Sequence, residues 1–303
     1  KVTRGLAVDW LGIIFSTLGF GTILYAFSTV GHNRDGSDDW GSPLILSLLV
    51  TGTVSLLIFA LVELKFKEPL INLRLFKRPV FALGNVIGWA GMVALFGPNF
   101  LLPLYLQGLR QMTPLETGLL ILPLAITSGI LAPFAGKIFD KIGGRLLMVS
   151  GFILLTINTW RLASIERDTD LFYIGVLMAV RGLALGLIIQ NTVSVTLSVV
   201  EGTELPRASS LTNASRQVAQ ALGIAVLATL VQGQLNQLGA GGMGNPAAYT
   251  TAFMQGLKDA YIFALGLSII ALSLSFFLPG WPGKKVVQMP TPEPLPTSVS
   301  RAG

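Results

Sequence analysis

The residues of this 303-residue chain that could do chemistry are polar side chains set inside long apolar runs. One such run carries a stripe in which a polar, aromatic or thioether side chain recurs every three or four residues, which is one face of a helix. A mixture of this kind is typical of a pocket for bulky amphipathic compounds. Packing between helices is the alternative, because Gly84 and Gly88 form a close-approach motif in the same run. The stripe consists of Asn85, Trp89, Met92, Phe96 and Asn99.

Two further runs contain charged or amide side chains. Arg181 lies about ten residues into its run, too deep to reach water without a partner or a cavity. We predict that Arg181 and Gln190, on the same run, line a cavity. A later run carries polar residues at positions i, i+3, i+4 and i+7, and there we predict a hydrogen-bonded contact between helices, with cavity lining as the alternative. These residues are Asn213, Arg216, Gln217 and Gln220.

Several kinds of chemistry are excluded by composition. The chain has no cysteine and one histidine, His32, so thiolate chemistry and His-rich metal sites are ruled out. No nucleophile, base and orienting group occur together, and Gly239–Gly242 lacks the Lys-Ser/Thr of a phosphate-binding loop. Basic segments are not interleaved with stacking aromatics, so nucleic acid is not an expected partner. We predict no enzyme, no metal and no cofactor beyond a proton gradient.

The elements that position these residues are membrane-spanning helices. Hydrophobic residues make up 52% of the chain and charged residues 12%, about half the usual share of a soluble protein. Eight apolar runs are near the length that crosses a bilayer. The third and sixth are long enough to require tilt, and the fifth and eighth are short. The runs are Trp10–Val30, Pro43–Val62, Val80–Leu106, Pro114–Ala135, Leu146–Ala163, Leu171–Val200, Thr212–Leu230 and Ala260–Leu278.

The distribution of basic residues predicts the orientation of these runs. With the N-terminus placed inside, 14 of the 21 Lys and Arg residues fall in cytoplasmic segments, four in outside loops and three within spans. Because Lys and Arg favour the cytoplasmic side, we predict eight crossings with both ends of the segment cytoplasmic, in an inner or plasma membrane. The pI near 9.7 then reflects the basic cytoplasmic segments of a membrane protein and not a nucleic-acid partner.

The runs fall into a two-plus-six arrangement. We predict a two-span hairpin over 1–62, a basic cytoplasmic linker over 63–79 that can lie along the interface, and a six-helix bundle over 80–279. The Pro-rich segment 280–303 has the composition of a disordered cytoplasmic tail. Between the last two spans, Gln232–Asp259 is rich in Gly, Asn and Gln and is predicted to be a mobile outside loop.

The order of motifs from Leu101 onward resembles a known family. Leu102-Pro103-Leu104-Tyr105-Leu106-Gln107 is followed by Thr113-Pro114-Leu115-Glu116-Thr117-Gly118, then by the loop Gly136–Arg145 and by Arg207–Gln217. This series resembles the second half of major facilitator superfamily transporters, and specifically the fourteen-span drug–proton antiporters of the QacA/EmrB type. The resemblance covers about Asp9 to Pro279 and implies an all-α polytopic bundle with two inserted spans.

The loop Gly136–Arg145 carries the strongest part of the resemblance. Its glycines permit a tight turn between two spans, and Asp140 lies where a carboxylate favours the start of the next helix. By resemblance, the loop closes the cytoplasmic side in one state and releases it in another. Lys141 stands where the family more often has Arg. The gating residues implied are Gly136, Asp140, Lys141, Gly143 and Arg145.

No acidic residue lies near the centre of any run, since Asp9, Glu116 and Asp259 are at edges. The family takes up protons on membrane carboxylates of its other half, so we expect the N-terminal half of the same transporter as a partner, with Glu116 as the alternative proton carrier. The resulting hypothesis is a proton-coupled antiporter that exports hydrophobic or cationic compounds through the lipid bilayer by alternating access. A transporter for a sugar, amino acid or siderophore, a non-transporting scaffold, and a homodimer of half-transporters remain alternatives.

Overall fold

The computed structural model of the chain describes residues 10–29, 42–65, 73–238 and 245–278. The predictions for Asp9, for the first loop with His32, for Gly239–Gly242 and for the tail lie outside these residues. Within the described residues all regular structure is helical, which confirms the predicted all-α class. The α-helices that the described residues form are α1 (Trp10–Thr29), α2 (Pro43–Lys65), α3 (Pro79–Gly108), α4 (Pro114–Ile142), α5 (Gly144–Leu162), α6 (Leu171–Leu197), α7 (Leu205–Asn236) and α8 (Pro246–Ser275), and a 3-10 helix spans Leu73–Lys77.

Five of these helices, α3, α4, α6, α7 and α8, are long and apolar enough on their own to cross a membrane. Shorter apolar stretches lie in α1 (Leu11–Ala26) and α2 (Pro43–Phe59), and α5 has 19 residues. The 3-10 helix lies in the segment that we predicted to be a linker at the membrane interface.

The α7 and α8 helices begin well before their predicted apolar runs, at Leu205 and Pro246, because local caps and prolines, and not apolar residues, set the first turns of helices. Pro occupies the first turn of α3, α4, α7 and α8, where its missing N–H costs nothing. At α4, Thr113 and Glu116 form a capping box: the Thr113 N–H donates to the Glu116 carboxylate at 2.8 Å, and the Glu116 N–H donates to Thr113 Oγ1 at 3.3 Å.

The segment between the last two spans is therefore mostly helical. The predicted mobile loop over Gln232–Asp259 was wrong for most of its length, since α7 continues to Asn236 and α8 begins at Pro246. The eighth span, predicted to be short from Ala260, belongs to a 30-residue helix. Asn245 caps that helix by accepting from the N–H of Ala247 at 3.0 Å. Polar composition alone did not end these helices, because Gln and Lys are good helix formers.

Helices α3 to α8 form one bundle. The α6 helix packs against α3, α4 and α5, and the α8 helix packs against α3, α5 and α7. Glycines bring two of these pairs close together: a Cβ at Gly84 would collide with the Thr196 side chain of α6, and one at Gly182 would collide with the Leu124 carbonyl of α4. The α1 and α2 helices pack mainly against each other, with further contacts to α7 and to the 3-10 helix.

The apolar core is divided into layers along the bundle. One cluster, at the C-terminal end of α3, centres on Tyr105, Met178 and Tyr261, and a middle cluster centres on Phe152 and Ile188. A third cluster joins Leu75 of the 3-10 helix to Phe81 and Leu211, and so attaches the linker to the N-terminal ends of α3 and α7. The α4 helix packs mainly on α6 and keeps a wide apolar face exposed.

Candidate functional site

The most buried charged group in the bundle is Arg181, which is 0% exposed at the middle of α6. Its NH1 atom donates to Asn158 Oδ1 at 3.0 Å and to Thr159 Oγ1 at 3.4 Å, both on α5. Its NH2 atom donates to the main-chain carbonyl oxygen of Ala94 and, at 2.8 Å, to that of Leu95 on α3. Arg181 thus ties α3, α5 and α6 together and does not face an open cavity.

The acceptors on α3 exist because of a proline. Pro98 lies inside α3 and has no N–H, so the carbonyl oxygen of Ala94, four residues earlier, has no helical donor. An unpaired carbonyl buried in apolar surroundings is costly, and the Arg181 guanidinium supplies the missing donor. Within the described residues no carboxylate forms an ion pair with Arg181. Its role in this structure is to satisfy main-chain and side-chain oxygens.

The predicted stripe on α3 faces other helices. Asn85 is buried and donates from Nδ2 to the carbonyl oxygen of Phe81 at 2.9 Å. Trp89 donates from Nε1 to Ser215 Oγ on α7 at 2.9 Å, and its ring centroid lies 5.9 Å from that of Phe76. Phe96 packs against the middle core cluster. Asn99 Oδ1 is buried and has no hydrogen-bond partner. These positions are those of helix packing, the alternative interpretation of the stripe.

Of the predicted site residues, three with amide side chains are exposed on spanning helices instead. Gln190 on α6 and Asn213 and Gln217 on α7 are exposed, and Gln220 is half-buried. By helical rise, Gln190 lies about 10 Å from the C-terminal end of α6, and Asn213 and Gln217 lie about 12 and 18 Å from the N-terminal end of α7. Exposed amides at such depth require a water-filled cavity or another protein surface, because lipid gives them no hydrogen-bond partner. We call these three residues the open amide face.

The polar stripe on α7 is therefore divided between two directions. Asn213 and Gln217 point outward, whereas Arg216 is 5% exposed and points between the helices. The aliphatic part of Arg216 contacts α3, where a Cβ on Gly88 would lie 3.6 Å from Arg216 Cδ. Arg216 makes no hydrogen bond within the described residues, and its Nε is sealed from solvent.

The loop Gly136–Arg145 folds differently from the predicted ten-residue turn. The α4 helix continues through Gly136 to Ile142, and α5 starts at Gly144. The whole reversal rests on Gly143, whose φ of 83° and ψ of 158° are reached almost only by glycine. Gly136 is exposed and helical, with open space around it. Lys141 is exposed and Arg145 half-buried, and Asp140 lies in the last turn of α4 with its side chain outside the described part.

A polar contact that we did not predict joins the N-terminal ends of α3 and α7. The Arg78 NH2 atom lies 2.9 Å from Glu204 Oε2, and its NH1 donates to the carbonyl oxygen of Val199 at 2.7 Å. This links the residue before α3 to the connection between α6 and α7. Only the opposite charges of two loop residues 126 positions apart pointed to it.

Carboxylates are scarce where proton exchange would need them. Glu116 is exposed in its capping box at the N-terminal end of α4. Asp259 lies inside α8 and not at a helix end, but it accepts from Gln234 at 2.8 Å, near the C-terminal end of α7. No group of three or more His, Asp or Glu side chains that could hold a metal occurs among the described residues.

Comparison with known proteins gives consistent matches to one family. The Major Facilitator Superfamily profile matches residues 4–224. The chain is 32% identical to the lincomycin resistance protein LmrB of Bacillus subtilis over 89% of its length, 27% identical to the puromycin resistance protein pur8 of Streptomyces alboniger over 92%, and 29% identical to the riboflavin transporter RibZ of Clostridioides difficile over 84%.

The matches cover 56%, 55% and 52% of those three proteins, so the chain spans about half the length of the curated relatives that it matches. Its spanning helices identify a multi-pass membrane protein, and the family consists of transporters and not of enzymes. On the extent of the profile match and on the identity with full-length relatives, this chain belongs to the Major Facilitator Superfamily.

Proposed function

We propose that the chain supplies the inserted hairpin and one six-helix bundle of a proton-coupled antiporter, which exports hydrophobic or cationic compounds across the cytoplasmic membrane. The observation that carries the proposal is the open amide face. Gln190, Asn213 and Gln217 lie on spanning helices at membrane depth and are not covered by the rest of the bundle. Amides exposed there suit a translocation cavity shared with a second bundle.

The chemistry of the amide face favours cargo that is largely apolar. Uncharged amides orient a ligand through single hydrogen bonds and do not require a matching charge. Apolar side chains such as Ile126 and Ile130 are exposed on α4, which is the least buried of the five spanning helices. Two relatives are named for resistance to lincomycin and puromycin, and this supports an exported toxic compound as the cargo.

Proton coupling is proposed to involve a carboxylate outside the described spans. Of the described acids, Glu116 caps α4, and Asp259 is held by two glutamine side chains near the C-terminal end of α7. A carboxylate that exchanges protons during transport needs access to the cavity from both sides in turn. We infer that this group belongs to the partner half, and that both ends of the present segment are cytoplasmic.

The test uses everted membrane vesicles that contain the complete product of the gene encoding this chain. Ethidium, a lipophilic cation, should accumulate in the vesicles when respiration generates a proton gradient, and nigericin should stop its accumulation by collapsing the pH difference. A variant with Gln190, Asn213 and Gln217 changed to Leu should insert normally but transport slowly. Ethidium flux that ignores nigericin contradicts proton coupling, and absence of flux for any lipophilic compound contradicts export.

A second candidate is a transporter for a nutrient on the same frame. It is supported by the 29% identity with a protein named as a riboflavin transporter. The same vesicles distinguish the two candidates. Saturable riboflavin transport that ethidium does not inhibit would favour the nutrient, whereas ethidium transport that riboflavin does not inhibit would favour the exporter.

A further inference from the structure

We propose that Asn85, Thr212 and Arg216 form a buried binding site for one carboxyl group between α3 and α7. Each residue has a polar atom that is sealed from solvent and has no hydrogen-bond partner within the described residues: Asn85 Oδ1, Thr212 Oγ1 and Arg216 Nε. The residues are 0%, 1% and 5% exposed. A fourth such atom, Asn99 Oδ1, lies about four turns further along α3. Unsatisfied buried polar atoms are uncommon, so three of them in neighbouring turns of two facing helices call for a common explanation.

The register of α3 and α7 places the three residues in one layer. The two helices lie side by side and run in the same direction, because successive contacts pair Gly88 with Arg216, Val93 with Gly223 and Gly97 with Leu227. These pairs differ by 128 to 130 positions. The same offset puts Asn85 opposite the turn of α7 that contains Thr212, and Thr212 lies one helical turn before Arg216, on the same face.

The other buried arginine shows what the bundle does when an arginine serves packing alone. Arg181 donates to oxygens on α3 and α5 through all three of its guanidinium nitrogens. Arg216 is also buried, and it has no such acceptors within the described residues. An unpaired guanidinium inside a membrane protein is costly, and the cost falls when an anion or an ordered acceptor occupies the place in front of it.

The donor and acceptor set of the layer suits a carboxyl group. The Arg216 N–H groups and the Thr212 hydroxyl can donate to a carboxylate, and guanidinium geometry matches both carboxylate oxygens. Asn85 Oδ1 accepts only, so it can pair with the O–H of the same group when that group is protonated. A phosphate ester carries about 1.5 to 2 negative charges at neutral pH, more than one guanidinium compensates. A halide offers no donor to Asn85.

The carboxyl group has two sources with the same chemistry. One is a carboxylic acid in solution that enters the bundle, and the other is an acidic side chain of the partner half proposed above. In both cases Arg216 is a binding residue and not a packing residue. The proposal does not depend on the direction of transport or on the cargo proposed above.

The test measures binding of radiolabelled benzoate by scintillation proximity, with benzamide as an uncharged competitor of the same shape. An aromatic acid is chosen because Trp89 and Phe76 lie beside this layer. Two proteins are compared in detergent: the 303-residue chain and the complete gene product. Saturable binding that acetate reduces and benzamide does not is expected in at least one of them.

Variants separate a binding role from a structural one. Arg216→Gln should weaken benzoate binding about tenfold or more, because a charge-assisted pair is lost, and Arg216→Lys should restore part of it. Thr212→Val keeps the shape and the charge and should weaken binding about threefold. Arg207→Gln, which changes an exposed arginine at the start of the same helix, should leave binding unchanged. If Arg216→Gln fails to fold, benzoate binding is measured instead on the double variant Thr212→Val with Asn85→Ala.

The comparison of the two proteins identifies the source. Binding by both indicates a solute carboxylate, and binding by the 303-residue chain alone indicates that an acidic side chain fills the site in the complete protein. Absence of binding in both overturns the proposal and leaves ordered water as the occupant of the layer. Binding that Arg216→Gln and Thr212→Val do not weaken also overturns it.

Discussion

The guanidinium of Arg181 on α6 donates to the main-chain carbonyl oxygen of Ala94 on α3, the oxygen that Pro98 leaves without a helical donor. The broken hydrogen bond of one helix is thereby completed by a side chain of another. Asn158 and Thr159 of α5 accept from the same guanidinium. A single residue in the middle of the bundle thus joins three helices through its hydrogen bonds.

Replacing Arg181 by Met should destabilise the bundle by about 3 kcal/mol, because the side chain stays long but several buried oxygens lose their donor. Arg181→Lys should not restore the loss, since one ammonium cannot reach acceptors on two helices. Thermal unfolding of the purified protein in detergent measures the effect. Arg161→Met, at an exposed arginine that lies 5.1 Å from the centroid of the neighbouring Trp160 ring, is the control and should change stability little.

The link to Pro98 can be tested separately. Pro98→Ala supplies an N–H that can donate to the Ala94 carbonyl within α3. The double variant Pro98→Ala with Arg181→Met should therefore unfold at a higher temperature than Arg181→Met alone. If the two changes are simply additive and both destabilising, the Ala94 carbonyl is not the group through which Arg181 acts.

The sequence predicted that Arg181 is special but not what it does. Its depth in an apolar run indicated a partner or a cavity, and we expected a cavity. Its acceptors include main-chain carbonyls, which are present at every position and so leave no mark in the sequence. Pro98 was the only local sign, because it identifies the carbonyl of Ala94 as unpaired. The all-α class and the positions of the apolar runs were predictable, since hydropathy responds directly to the bilayer.

Among the glycines of the loop Gly136–Arg145, Gly143 should be the one that does not tolerate replacement by Ala. Its φ of 83° and ψ of 158° strain any residue with a Cβ, so Gly143→Ala should cost about 1 to 3 kcal/mol and lower the unfolding temperature. Gly136→Ala is the matched control: that residue is helical and open, and Ala there should be neutral or stabilising by up to about 1 kcal/mol. Equal loss at both positions would contradict the single-residue turn.

The difference between these two glycines could not be taken from the sequence. Both fit a tight ten-residue turn, and the apolar run ends near Ala135, which suggested that the helix ends there too. The structure continues α4 to Ile142 because a helix does not need apolar residues once it leaves the membrane. Helix ends are set by caps and by residues with positive φ, which hydropathy does not report.

The contact between Arg78 and Glu204 should contribute little to stability. Their side chains are 37% and 32% exposed, and such pairs are worth less than about 1 kcal/mol. Glu204→Gln should therefore change the unfolding temperature only slightly. Exchanging the charges, with Arg78→Glu and Glu204→Arg, should restore less than the full contact, since a carboxylate at position 78 could not donate to the Val199 carbonyl. A double-mutant cycle measures the coupling, and a coupling of several kcal/mol would contradict this expectation.

The open amide face should be in contact with water when the complete protein is in its membrane. The 303 residues contain no cysteine, so once any cysteine elsewhere in the complete protein is replaced by Ser, single cysteines can be introduced at Gln190, Asn213 and Gln217 and labelled. A charged, membrane-impermeant methanethiosulfonate should react with all three in everted vesicles, and transported cargo should slow the reaction. Cysteine reacts as the thiolate, which forms in water and not in lipid. Ile157→Cys, on an exposed apolar position of α5, should therefore react far more slowly. Similar slow labelling at all four positions would place the amide face against lipid or against packed protein, and would remove the cavity on which the proposed export rests.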